Sequence, residues 1–300
     1  MPLTPDPAIF YDTAGDPSAP TVVLIAGGGA QLIAWHVDLV RTLVERGLHV
    51  VRMDNRDVGL SARFGGADDI DGGYGLEEMA DDVVRVLDDL DVEAAHLVGH
   101  SMGGMVAQMA AIRHPERVRS LGLLSTIPGR DPRYILHDER PELMRAPVRY
   151  SRDEVLAGAA AFAASTAEQR YPLDVDWNAW AAGEAFDRGY FPEGFSRQWS
   201  ALLRAPERLE ALRAITVPAL VFHGRDDDVL HWSAAVDMAE ALPAGELQVH
   251  PGMGHYLVPE LWPELVAGIV RTVEAGEARA ASAGARADGS PRTDGSRLSS

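Results

Sequence analysis

Ala95-His96-Leu97-Val98-Gly99-His100-Ser101-Met102-Gly103-Gly104 (AHLVGHSMGG) runs from an apolar stretch into a knot of glycines that holds one serine. AHLV has the composition of a buried strand, and residues 101–113, closed by His114-Pro115, read as a helix. A serine between strand and helix, flanked by Gly99 and Gly103 as G-x-S-x-G, sits in a strained turn with its Oγ above a sheet's carboxyl edge. Side chains in place of those glycines would collide with the neighbouring strand and helix. Such a serine is a candidate nucleophile. It then needs a base, an acid to orient the base, and donors for developing negative charge.

Working outward, strands and helices alternate. TVVLIA (21–26) is a β-branched strand ending in Gly27-Gly28-Gly29, and Val37, Val40, Leu43 and Val44 repeat at helical spacing until Gly47. LHVVRMD (48–54) reads as a strand, and Leu76, Met79, Ala80, Val83, Val84, Leu87 and Leu90 form one helical stripe. VRSLGLLS (118–125) is again a strand. After a gap come VPALVFHG (strand), 233–242 (helix), ELQVH (strand) and 259–275 (helix). This alternation predicts an α/β fold, a mostly parallel sheet flanked by helices on both faces.

The alternation breaks between 130 and 213, where only helix-forming stretches such as DEVLAGAAAFAAS occur. The division that follows is a core in two parts, 1–129 and 214–275, a helical lid insertion at 130–213, and a tail at 276–300. The insert carries 11 of the chain's 20 aromatic residues, half of them assignable to its own packing and the rest to a pocket wall. The tail is rich in Gly, Ser, Ala and Arg, with Leu298 its single large aliphatic residue, and its composition predicts disorder.

Composition narrows the partners. The net charge of −18 argues against nucleic acid and anionic membranes. No apolar run reaches the roughly 18 residues of a membrane span, and MPLTPDPAIF lacks the features of a leader, which predicts a cytoplasmic protein. The 46% hydrophobic content and mean hydropathy of −0.09 are those of a soluble globular chain. There is no cysteine, and every basic residue is arginine, which excludes a P-loop lysine and a Schiff base. Gly27 to Gly29 do not make a dinucleotide fingerprint, because Leu32 stands where its third glycine belongs. No HExxH occurs among the ten histidines, and His96 and His100 lie on a strand and a turn, so neither metal nor cofactor is expected.

The partners of Ser101 are found near the far end of the chain. His255, in PGMGHYLVP, follows the last strand through a glycine-rich turn and is the candidate base. The candidate acid lies in VFHGRDDDVLH, just past a strand. All stand at carboxyl ends of strands, in the order Ser, Asp, His. In these features the chain resembles the α/β-hydrolase family over about residues 8–275. AGGGAQLIAW, DNRDVGLSARF, GHSMGG and HPGMGHYL further resemble the aclacinomycin methylesterase group, esterases acting on polyketide methyl esters.

The resemblance implies roles. Ser101 would attack an ester carbonyl, with His255 as general base and then acid. The family's HGxxD pattern, laid on His223-Gly224-Arg225-Asp226-Asp227, makes Asp227 the orienting acid, with Asp226 and Asp228 as alternatives. The backbone N–H groups of Met102 and Gly28 would form the oxyanion hole, Ala26-Gly27 standing where the family usually has His-Gly. The implied substrate is a small-molecule hydrophobic ester, a polyketide methyl ester being one candidate. Lactonase, thioesterase, acyltransferase, C–C hydrolase and perhydrolase chemistries use the same triad, and a non-catalytic binding or polyketide-shaping scaffold is the rival of another class. Serine in place of aspartate at the elbow argues against dehalogenases and epoxide hydrolases.

Trp35, beside the oxyanion loop, is a candidate pocket residue, as are Trp177, Trp180 and Trp199 of the insert. His100 and His223 read as packing residues, and Asp54, Arg56 and Asp57 as organisers of their own loop through salt bridges.

Overall fold

The computed structural model describes residues 3–66, 68–136 and 148–287. The expected alternation is present. β2 (Thr21–Ile25), β3 (His49–Met53), β4 (Ala95–His100), β5 (Val118–Leu124), β6 (Ala219–Gly224) and β7 (Gly245–His250) run parallel, and β1 (Tyr11–Ala14) adds antiparallel to β3. The sheet order is β1-β3-β2-β4-β5-β6-β7. β1 was not expected, because YDTA offers no apolar run: it is an edge strand in which Tyr11 alone is buried.

Chain order reverses between β2 and β4, so the loops leaving those strands part and open a crevice at the carboxyl edge. Gly27-Gly28-Gly29 leaves β2 there, and Ser101 leaves β4. One face of the sheet is covered by α2 (Leu76–Asp89), α3 (Met102–Arg113) and α8 (Ser233–Ala241). α1 (Val37–Glu45) and α9 (Trp262–Ala287) cover the other. Central α3 is buried from Met102 to Ala111 on every side, which explains a composition that is small and apolar except for Gln108.

Between β5 and β6 lie α4 (Arg152–Ser165), α5 (Val175–Gly189), α6 (Pro192–Arg204) and the short α7 (Leu209–Leu212), at the position expected for a helical insertion. α4 opens with a capping box, Ser151 Oγ accepting from the Glu154 N–H and Glu154 receiving the Ser151 N–H.

The disordered tail expected from residue 276 needs correction at its start. α9 runs on to Ala287, its alanine-rich sequence continuing a helix already nucleated by core packing. Glu277 pairs with Arg119 (3.0 Å) and His96 (3.1 Å). Residues 288–300 lie outside the described residues.

No helix among the described residues is long and apolar enough to cross a membrane.

Candidate active site

The elbow at Ser101 is strained. The serine holds φ 54° and ψ −120°, a left-handed conformation costly for a residue with a Cβ. Two hydrogen bonds fix it: its N–H donates to the Leu124 carbonyl (2.9 Å), and its own carbonyl accepts from Thr126 Oγ1 (2.7 Å). A Cβ on Gly99 would run into the Gly103 carbonyl, and one on Gly103 into the carbonyl of Ile25. The flanking glycines are therefore set by backbone contact between β4, α3 and β2.

His255, five residues past β7, donates from Nδ1 to Asp227 Oδ2 at 2.8 Å. Among the aspartates of the run, Asp226 and Asp228 are exposed and Asp227 is buried. Asp227 Oδ1 accepts the N–H groups of Val229 (2.9 Å) and Leu230 (2.8 Å). Oδ2 also meets His223 Nε2 at 3.2 Å. Burial alone would raise this carboxyl, but the hydrogen bonds from His223 and His255 outweigh it and hold Asp227 well below the usual carboxylate range. An anionic Asp227 keeps the proton on His255 Nδ1, which leaves Nε2 free to act as a base.

His100 Nε2 lies 2.9 Å from the His255 carbonyl. Burial, reinforced by the neighbouring His255, pushes His100 down to about 4, so at neutral pH it is uncharged and donates to that carbonyl. It thereby braces the loop carrying His255. His223, expected to do no more than pack at a strand end, is in fact a second ligand of Asp227.

Ser101 and His255 line one cavity of about 300 Å³, together with Gly28, Trp35, Trp177 and Tyr256. Among the described residues Ser101 Oγ has no hydrogen-bond partner. The amide N–H groups of Gly28 and Met102 also have no partner among the described residues. By contrast, the Gly29 N–H is taken by Gln198 Oε1 at 2.7 Å. A Cβ on Gly28 would lie 3.9 Å from Met102 Sδ, so the two donor loops meet here.

Ser101 borders a second cavity of about 80 Å³, walled by Ile127, Trp199, Leu202 and Leu230 with Arg208 at its boundary. Of the tryptophans expected at a pocket wall, Trp35 and Trp177 face the larger cavity and Trp199 the smaller. Trp180 is a correction. It lines neither, is 49% exposed, and packs its ring 4.7 Å from that of Trp177.

The DNRDVGLS loop is the site's frame. Asp54 accepts the N–H of Leu32 (2.8 Å) and Leu60 (3.0 Å) and pairs with Arg188 of α5. Arg56 forks onto Asp82, at 2.6 and 2.7 Å. Asp57 pairs with Arg197 of α6 at 2.8 Å and accepts from Tyr74 Oη at 2.7 Å. Sequence reading missed Gln198 and Phe195, whose ring lies against Gly28 and Gly29. Both come from a helix about 170 residues away in the chain, and no local pattern marks them.

A second Ser-His-acid chain exists at the opposite edge. Ser120 Oγ lies 2.7 Å from His96 Nδ1, and His96 Nε2 lies 3.1 Å from Glu277. Ser120 is buried inside β5, with neither an elbow nor free amide donors beside it, and it serves to anchor α9. No cluster suited to a metal ion occurs among the described residues.

The sequence matches the family described as alpha/beta hydrolase fold over residues 20–260. It is 29% identical over 253 residues to a putative carbamate hydrolase of Variovorax paradoxus (strain S110), covering 82% of this chain and 89% of that one. A rhodomycin D methylesterase of Streptomyces peucetius is 38% identical over 116 residues, which span 39% of this chain and 38% of that one. Among solved structures, the enol-lactonase from Burkholderia xenovorans LB400 superposes with a TM-score of 0.69 at 22% identity, covering 89% of this chain and 96% of that chain. That likeness is one of fold.

Proposed function

Because the chain belongs to the alpha/beta hydrolase fold family, we propose that it is a serine carboxylic-ester hydrolase acting through an acyl-enzyme. Ser101 Oγ adds to the ester carbonyl while His255 Nε2 takes its proton. The oxyanion that forms accepts hydrogen bonds from the N–H groups of Gly28 and Met102. Collapse breaks the bond to the alcohol oxygen, which leaves with the proton held on His255. Water then attacks the acyl-serine, His255 again taking and returning the proton, and the acid departs. Asp227 keeps the imidazole in the required tautomer throughout.

The observation that carries this reading is the 2.8 Å contact of buried Asp227 with His255, on the same cavity as a serine in a strained elbow. The segment shared with the rhodomycin D methylesterase supports ester hydrolysis without fixing which side of the ester is bulky, and the largely apolar walls around Ser101 fit a hydrophobic substrate.

The test uses p-nitrophenyl acetate and a fluorophosphonate probe on the wild type and on Ser101→Ala. Removal of the nucleophile is expected to lower kcat by about a million-fold and to abolish labelling. Turnover or labelling indifferent to the substitution would overturn the assignment.

A further inference from the structure

The two cavities that meet at Ser101 are unequal, and only one of them contains His255. This fixes which side of an ester each can hold. In the tetrahedral intermediate the carbonyl carbon carries the Ser101 oxygen, the oxyanion, the acyl substituent and the leaving oxygen. The leaving oxygen must take its proton from His255 Nε2, so the alcohol portion has to lie on the His255 side. The acyl substituent is then directed into the other cavity.

The His255 side is the roomy one, at about 300 Å³. Through Trp35, Trp177 and Leu257 it abuts a further hollow of about 70 Å³ lined by His36 and Trp262. These rings form a continuous aromatic wall: His36 and Trp177 centroids are 3.8 Å apart, and those of His36 and Trp262 are 4.8 Å apart. The opposite cavity is about 80 Å³ and walled mostly by apolar side chains, Ile127, Leu202 and Leu230 among them, with Arg130 and Arg208 also on its lining.

We propose that this site takes esters of a bulky aromatic alcohol with a short apolar acid. This is the reverse of a methylesterase, which holds a large acid and releases methanol. The inference rests on the serine-hydrolase reading given above. It adds the polarity of the substrate: the Oγ–acyl bond formed is that of a small acyl group, and the C–O bond broken releases an aromatic alcohol that carries off the His255 proton. Water supplies the atoms that regenerate Ser101 and free the acid.

Two isomeric esters of similar intrinsic reactivity separate the orientations, naphthylmethyl acetate and methyl naphthylacetate. The first places its rings on the alcohol and the second on the acid. The expected kcat/KM ratio favours naphthylmethyl acetate by about 30-fold or more, since the second isomer must press two rings into the smaller cavity. A ratio of one or below overturns the proposal, and so does failure to hydrolyse either isomer while the fluorophosphonate still labels Ser101. Absence of labelling would instead bring down the hydrolase reading itself, so the two failures are distinguishable. Enlarging the acyl cavity with Leu202→Ala should raise the kcat/KM of naphthylmethyl hexanoate relative to the acetate by about ten-fold. An unchanged chain-length preference in a folded Leu202→Ala protein also counts against the assignment.

Discussion

Asp227 receives the N–H groups of Val229 and Leu230 on one oxygen and two imidazoles on the other, inside a shell that excludes water. Replacing it with asparagine keeps the shape but offers an amide where Nδ1–H needs an anion, and it favours the wrong tautomer of His255. We expect Asp227→Asn to lower kcat by about ten-thousand-fold. Asp226→Asn and Asp228→Asn, on exposed side chains, should stay within about two-fold of wild type. Steady-state kinetics on the three variants reads this directly, and a large loss at 226 or 228 would reassign the acid. The sign of the pH effect follows from the same contacts. Since the folded carboxyl is depressed, its stabilising contribution is complete above the unfolded value of about 3.9 and is lost as pH falls through the folded one. In the sequence, Ser101 and His255 were legible because glycines isolate them in loops after strands. The choice among three adjacent aspartates was not, because burial depends on the turn around Val229 and Leu230. The outward position of Trp180 was hidden for a similar reason: Trp177 and Trp180 share a helix face, and only the packing of α5 decides which of them reaches the cavity.

Strands β2 to β7 and the helices of the core, α1, α2, α3 and α8, were legible to within a few residues, whereas the insert was legible only as helical. Two further elements escaped for want of a regular apolar period: β1 is a four-residue edge strand, and the extension of α9 is alanine- and arginine-rich. Composition reads that extension as disorder, yet alanine is the strongest helix former and side chains of the sheet wait to be paired. His96 shows what the docking does. Burial pushes its imidazole down to about 4, against the opposing pull of Glu277 and with Arg119 adding to the depression. The unfolded chain binds that proton near pH 6.5, so between about 6.5 and 4 the unfolded state holds more protons than the folded one. Stability therefore falls as the pH is lowered through this window, and between pH 7 and 5 the contribution of His96 is about 2 kcal/mol. Urea unfolding at the two pH values should show this loss in the wild type, and His96→Gln should shrink the difference by about that amount. An undiminished difference in the variant would place the acid sensitivity elsewhere.

At the scale of the whole molecule, the insert is held to the core by two kinds of contact. Arg197 of α6 meets Asp57 with both side chains essentially sealed from solvent, at 2% and 0% exposure, and Arg188 of α5 reaches buried Asp54. Arg152 and Asp187, which join α4 to α5, are about half exposed. The buried partners stand 134 and 140 residues apart, so no window of sequence could have joined them, although DNRDVGLS was correctly read as a loop organised by ion pairs. Gln198, one residue beyond Arg197, donates to the Arg56 carbonyl and accepts from Gly29, so α6 is tied at once to the frame and to the oxyanion loop. α6 is accordingly a fixed wall, whereas most residues of α4 are exposed. Buried and exposed pairs should respond very differently to truncation. Arg197→Ala leaves the Asp57 carboxylate sealed with only Tyr74 Oη and the Phe64 N–H as donors, and an uncompensated buried charge costs about 3–5 kcal/mol. Arg152→Ala removes a screened surface pair and should cost less than about 1 kcal/mol. Adding Asp57→Asn to Arg197→Ala removes the stranded charge and should recover part of the loss, which a double-mutant cycle in urea measures as coupling. Equal costs for the two arginines, or no coupling between 57 and 197, would show that apolar packing rather than the buried ion pair holds α6 in place.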